Sequence, residues 1–134
     1  MVLAVVINVG LGAMWGFIGH TLFAAQIAES IGWPAGNPFQ TEVAVANLAV
    51  GTLGILCYWI RGDFWTATVI ATSIWLLGAA TIHAVEIIAA GNYNPDNARL
   101  IFYLDILSPL LLIALLIYAR LSRQPTGQAR VRAG

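Results

Sequence analysis

The sequence has no lysine, a single cysteine and very little charge of either sign, with charged residues making up 9% of its 134 positions. An ordinary soluble domain carries roughly 25% charged residues, so this chain lacks the material to cover a surface facing water. Its formal net charge is zero, which gives no sign of a nucleic-acid or other acidic partner. One cysteine, Cys57, cannot close an internal disulfide. No metal-ligand spacing surrounds it, and it reads as a small apolar residue. Gly-rich phosphate loops, nucleophile elbows and His-Glu-x-x-His motifs are all missing, so no catalytic residue is assigned. No basic residue precedes the first apolar stretch, and that stretch runs to about Ile31. A cleaved signal peptide needs a basic start and a short apolar region, so the stretch reads as a retained helix.

What is present is apolar: 60% of the residues are hydrophobic. A membrane-spanning helix needs about 20 mostly apolar residues, and four stretches qualify, over about 2–31, 42–60, 64–90 and 100–120. Between them lie a breaker-rich segment at 32–38, a tight turn at 61–63 and a polar turn cluster at 91–97. Such short links make neighbouring helices antiparallel. The expected fold class is all-α: an integral membrane four-helix bundle over 1–121, followed by a basic tail at 122–134 expected to be mobile. All six basic residues are arginines. Arg61, Arg120, Arg123, Arg130 and Arg132 fall on one side of the expected membrane, and only Arg99 on the other. Basic residues favour the cytoplasm, so both termini are expected there, in a multi-pass protein of the inner membrane. Trp33 and Tyr93 suit the outer interface, and Tyr58, Trp59, Trp65 and Tyr118 the inner one. Gly12 and Gly16 form a GxxxG pair with Gly19 one turn on, and Gly51 and Gly54 lie in the second span. Small residues of this kind let helix backbones approach closely.

Ionisable groups in hydrocarbon are costly and face the bundle interior. This chain places His20 in the first span, Glu42 and Asn47 in the second, His83 and Glu86 in the third and Asp105 in the fourth. At about 1.5 Å rise per residue, Asn47 and Asp105 lie roughly 8 Å from the outer end, His83 roughly 10 Å, Glu86 about 6 Å and His20 near 15 Å. All four helices are thus expected to deliver polar groups to one half of the bundle. His83 and Glu86 share a helix face. Pro109 removes the helical partner of the Asp105 carbonyl beside its own carboxylate. Asp96 and Arg99 are expected to pair at the surface, and Asp63 next to Arg61 reads as a solvated turn.

Four readings of these residues stay open. They form a buried network that fixes helix register, or a site for a proton or cation. They hold a metal through His20, His83, Glu86 and Asp105, although one reversed, unpaired His-x-x-Glu is a poor match to di-iron bundles. Or His20 and His83 ligate haem, although their depths differ by about 5 Å. No cofactor is assigned.

Several motifs carry a family resemblance. These are Ile31-Gly32-Trp33-Pro34, Pro38-Phe39-Gln40-Thr41-Glu42, Ala46-Asn47-Leu48-Ala49, Gly51-Thr52-Leu53-Gly54, Gly78-Ala79-Ala80-Thr81-Ile82-His83, Gly91-Asn92-Tyr93 and Tyr103-Leu104-Asp105-Ile106-Leu107-Ser108-Pro109. Together they resemble a family of small bacterial four-helix membrane proteins of unknown function, over about residues 17 to 117. The chain departs from it at Arg99, where a small residue is expected. The resemblance implies the four-span architecture and no known activity, cofactor or partner. Two function classes follow from the residues themselves. One is a membrane protein that binds an ion, proton or small ligand at the polar cluster. The other is a structural or accessory membrane subunit whose polar network only fixes packing. The expected partners are the lipid bilayer and a second copy or another membrane subunit, with no nucleic acid.

Overall fold

The computed structural model describes residues 1–122, and these are helical with no strand among them. The expected tail, with Arg123, Arg130 and Arg132, lies outside the described residues. Helix α1 runs Val2–Leu22, α2 Ala24–Ile31, α3 Phe39–Leu56, α4 Asp63–Ala90, α5 Pro95–Ala98 and α6 Leu100–Leu121. Four segments, Val2–Leu22, Phe39–Leu56, Asp63–Ala90 and Pro95–Leu121, are long and apolar enough to cross a membrane. Large apolar side chains point outward along them, Ile88 at 83% exposure and Trp15 at 72% among them. A water-soluble monomer rarely shows so much contiguous apolar surface, and the pattern fits a membrane protein.

The helix ends follow from local chemistry. Gly32 (φ 90°) and Gly91 (φ 62°) close α2 and α4 in the left-handed conformation, which glycine adopts without the usual steric cost. At Gly32 a side chain is excluded twice over, because a Cβ there would meet the Asn94 amide, with Asn92 Oδ1 2.9 Å away.

The first expected span, 2–31, is divided at Phe23, where φ is −122° and ψ is 28°. The Thr21 hydroxyl donates to the Phe17 carbonyl at 2.7 Å, a bond that competes with the helical ladder and bends helices. Length supplies the deeper reason. The 21 residues of α1 already cover about 30 Å at 1.5 Å each, the thickness of a hydrocarbon core. The remainder, α2, buries Ala28 and Ile31 and carries Gln26, Glu29 and Ser30, the two-faced composition of an interfacial helix. The second expected span also shifts. α3 starts at Phe39 and stops at Leu56, after which Tyr58 and Trp59 bond back to Ile55 and Leu56 in tighter turns.

The four long helices pack as two antiparallel pairs, α1 against α3 and α4 against α6, with much less contact between the pairs. In the first pair the closest approach is Gly10 to Gly51 and Gly54. A Cβ on Gly51 would stand 3.2 Å from the Gly10 carbonyl oxygen, and one on Gly54 would collide with the Gly10 backbone. The expected Gly12 is not the contact: a Cβ there would meet nothing closer than 3.9 Å. Residues Val5–Leu11 form a π-helical segment. Its i→i+5 bonding fits an extra residue into the turn, which rotates Gly10 rather than Gly12 onto α3. Gly16 does face α3, with Asn47 3.0 Å from where its Cβ would lie.

The pairs meet at both ends. At the end bearing the N-terminus, Val5 and Val9 of α1 cluster with Cys57, with Trp65 and Val69 of α4 and with Leu112 of α6. Trp65 Nε1–H donates to the Cys57 carbonyl at 2.9 Å, and the Cys57 thiol to Thr68 Oγ1 at 3.4 Å. At the opposite end, Asn92 Nδ2–H donates to the Ile31 carbonyl at 2.9 Å and the Ser30 hydroxyl to Asp96 at 2.6 Å. Asp96 therefore engages Ser30 across the pairs. Asp63, expected as a solvated turn residue, pairs with Arg120, whose Nη2 also donates to Thr66 Oγ1 at 2.6 Å. At 97% exposure of the Asp63 side chain, that ion pair contributes little.

Candidate functional site

The buried polar network lies where α4, the 91–94 loop, α5 and α6 come together. Gly91 turns the chain back at the end of α4, and Pro95 starts α5, a single turn that carries Asn97 inward. Asn97 is fully buried, at 0% exposure. Its Nδ2–H donates to the Asn92 carbonyl at 2.8 Å, which orients the amide so that Oδ1 faces His83. The 2.7 Å contact from His83 Nδ1 to Asn97 Oδ1 then requires a proton on Nδ1. The second ring nitrogen, Nε2, points at Asp105 Oδ2 across 3.7 Å. His83 and Asp105 are 7% and 9% exposed. One turn further along α6, Pro109 is buried inside the helix and leaves the Asp105 carbonyl without its helical donor.

With Nδ1 committed to Asn97, a proton between His83 and Asp105 has two seats. It resides on Nε2, giving imidazolium beside carboxylate, or on the carboxyl, facing the Nε2 lone pair. The 3.7 Å separation exceeds a hydrogen bond, and closing by about 0.8 Å would form one.

The other expected residues sit apart from this contact. Glu86 reaches it indirectly, because Asn92 Nδ2 lies 3.4 Å from Glu86 Oε2 while the Asn92 carbonyl accepts from Asn97. His20 belongs to the α1–α3 pair, with Nδ1 2.7 Å from Oε1 of Gln40, a residue 2% exposed. Asn47 Nδ2–H donates to the Val43 carbonyl at 3.0 Å, against Gly16. Glu42 stands at the rim of a cleft beside Trp33 and Phe39. The polar groups thus divide between the two helix pairs. Among the described residues, no group of three or more His, Cys, Asp or Glu side chains is placed to share a metal ion. The two histidines are engaged by different partners in different pairs.

Sequence reasoning missed Asn97 and Gln40. Both are amides at the edge of loop segments, where polarity is unremarkable. The only available signal for Asn97 is the density of asparagines at 92, 94 and 97, more than a turn requires. Two buried hydroxyls further down α4, Thr72 Oγ1 and Ser73 Oγ, have no partner among the described residues.

Neither a curated protein nor a solved structure matches this chain. A family model does match, over residues 1–125, and its description is "Family of unknown function (DUF6790)". Because that match takes in all four long helices and the His83 network, the chain belongs to this family of unknown function.

Proposed function

We propose that the protein is a multi-pass inner-membrane protein that binds and releases a proton at the His83–Asp105 pair. The observation that carries this reading is the pair of contacts at the His83 ring, Asn97 Oδ1 at Nδ1 and Asp105 Oδ2 facing Nε2. A chain running from the Asn92 carbonyl through Asn97 holds Nδ1–H and aims Nε2 at a buried carboxylate. Histidine is the side chain suited to exchanging a proton near neutral pH, and ionisable side chains inside a membrane are costly and mark proton relays. The arginine distribution supports cytoplasmic termini, which puts this pair nearer the opposite face.

The test is nitrogen NMR of ring-labelled histidine in detergent or nanodiscs across pH 5–9. Under this reading Nδ1 stays bonded to Asn97 Oδ1, and any change of state falls at Nε2, the nitrogen that faces Asp105. Asp105→Asn removes the carboxylate that faces Nε2 and alters the Nε2 signal. A His83 signal constant across that range, or one indifferent to Asp105→Asn, rules the reading out. Liposomes carrying a pH dye extend the test to transport: flux through the wild type that His83→Ala abolishes makes the site part of a path.

A second reading has its own support. His20–Gln40, Asn47–Val43 and Glu86–Asn92 are each closed locally, as in an accessory subunit whose polar groups fix helix register. Under it, Asp105→Asn lowers stability and leaves proton exchange at His83 unchanged.

A further inference from the structure

One face of α1 carries three residues that do not suit contact with acyl chains. Gly12 is the middle residue of the Val2–Leu22 span. At about 1.5 Å rise per residue, Asn8 then lies roughly 6 Å to one side of the bilayer midplane and Trp15 roughly 4.5 Å to the other. All three are exposed. Spaced four and three apart, they share a helix face, with Leu11 and Ile18 exposed beside them.

Each is out of place against hydrocarbon. A tryptophan that faces lipid belongs at headgroup level. An amide near the midplane has no water to bond. Asn8 Nδ2–H reaches Ser108 Oγ across a long 3.4 Å, which leaves the second N–H and Oδ1 without a bond among the described residues. Between these two side chains Gly12 leaves a gap, since a Cβ there would meet only the Ile7 carbonyl oxygen, at 3.9 Å. The chain's own α1–α3 seam closes on Gly10, Gly51 and Gly54, so its packing makes no use of that gap.

The chemistry of the face selects its occupant. An amide holds a donor and an acceptor, so it is complementary to a second amide. Every copy inserted in the same orientation holds Asn8 at the same depth. A two-fold axis along the membrane normal therefore brings Asn8 to Asn8, Gly12 to Gly12 and Trp15 to Trp15, as an isologous contact requires. Acyl tails offer neither donor nor acceptor at that level.

We infer that this face of α1 is a parallel two-fold interface with a second copy of the chain. The two α1 helices cross at Gly12, the Asn8 amides exchange hydrogen bonds on one side of the crossing, and the Trp15 rings pack on the other. Neither His83 nor Asp105 takes part, so the interface stands independently of proton binding.

Single-molecule photobleaching of the labelled full-length protein in liposomes, over a range of protein-to-lipid ratios, tests this. The wild type is dimeric at high density and dissociates on dilution. Asn8→Ala and Gly12→Leu each weaken association by about tenfold or more, the worth of one interhelical polar contact. Gly78→Leu is the matching control on the exposed face of α4, where a Cβ also enters open space, and it leaves association unchanged. A wild-type His83 ring spectrum in the Gly12→Leu protein verifies that its fold is intact. In a second arm, Gly12→Cys links to its own counterpart on mild oxidation and Gly78→Cys does not, while Cys57 stays buried. Monomers at every ratio overturn the inference, and so do dimers that survive both Asn8→Ala and Gly12→Leu. Association only with a different membrane protein in cells assigns the face to that partner and overturns it equally.

Discussion

Asn97 is the residue on which the buried network turns, because it bonds both the His83 ring and the Asn92 carbonyl while itself fully buried. Replacing it by alanine strips His83 Nδ1–H and the Asn92 carbonyl of their partners together. An unmet buried polar group costs about 1–3 kcal/mol, so Asn97→Ala is expected to destabilise the protein by roughly 2–4 kcal/mol, read as a lowered midpoint in a denaturant titration in detergent. In the same experiment Arg120→Ala is expected to change stability by under about 1 kcal/mol, because its partner Asp63 stands in solvent. His83 and Asp105 were legible as candidates because an ionisable group inside an apolar run is conspicuous. Asn97 was not. An asparagine among turn residues looks like every other loop asparagine until α5 folds it inward, and no local pattern announces that fold.

Among the elements, the four long helices were legible because hydrophobic length is a direct reading of bilayer thickness. The interruption at Phe23 and the choice of contact glycine were not, since both depend on how backbone turns are bonded rather than on how apolar they are. The π-helical segment at Val5–Leu11 decides the second. It leads to a sharp contrast between two glycines that a motif search would rank the other way. Gly54→Ala forces a methyl into the backbone of Gly10, whereas Gly12→Ala enters space with nothing closer than 3.9 Å. The first is expected to cost about 1–3 kcal/mol through overpacking. The second is expected to be neutral or to stabilise by up to about 1 kcal/mol, since alanine is the better helix former. Comparing the two variants in one unfolding assay, with Gly51→Ala as a further close-contact case, checks the assignment of the α1–α3 seam.

For the molecule as a whole, the four proposed spans would put both ends of the chain on one side, and the arginine count favours the cytoplasm for both. Reporter fusions active only in one compartment, placed before Met1 and after Gly134, are expected to report the cytoplasm at both sites. A fusion in the 32–38 loop is expected to report the opposite side. Opposite compartments for the two termini would require an odd number of crossings. The overall architecture was readable from composition. The division into two helix pairs was not, because an outward-facing leucine and a seam-facing leucine are the same letter in a sequence where lipid and protein are equally apolar.

That division carries a mechanical consequence. The two helix pairs are fastened at their ends, by the apolar cluster at one and by hydrogen bonds at the other. The fastening at one tip, Asn92 to Ile31 and Ser30 to Asp96, is bonded into the same asparagines that hold His83. Loss of the Asn92–Ile31 bond would therefore loosen the residue whose carbonyl holds Asn97, and through Asn97 the imidazole.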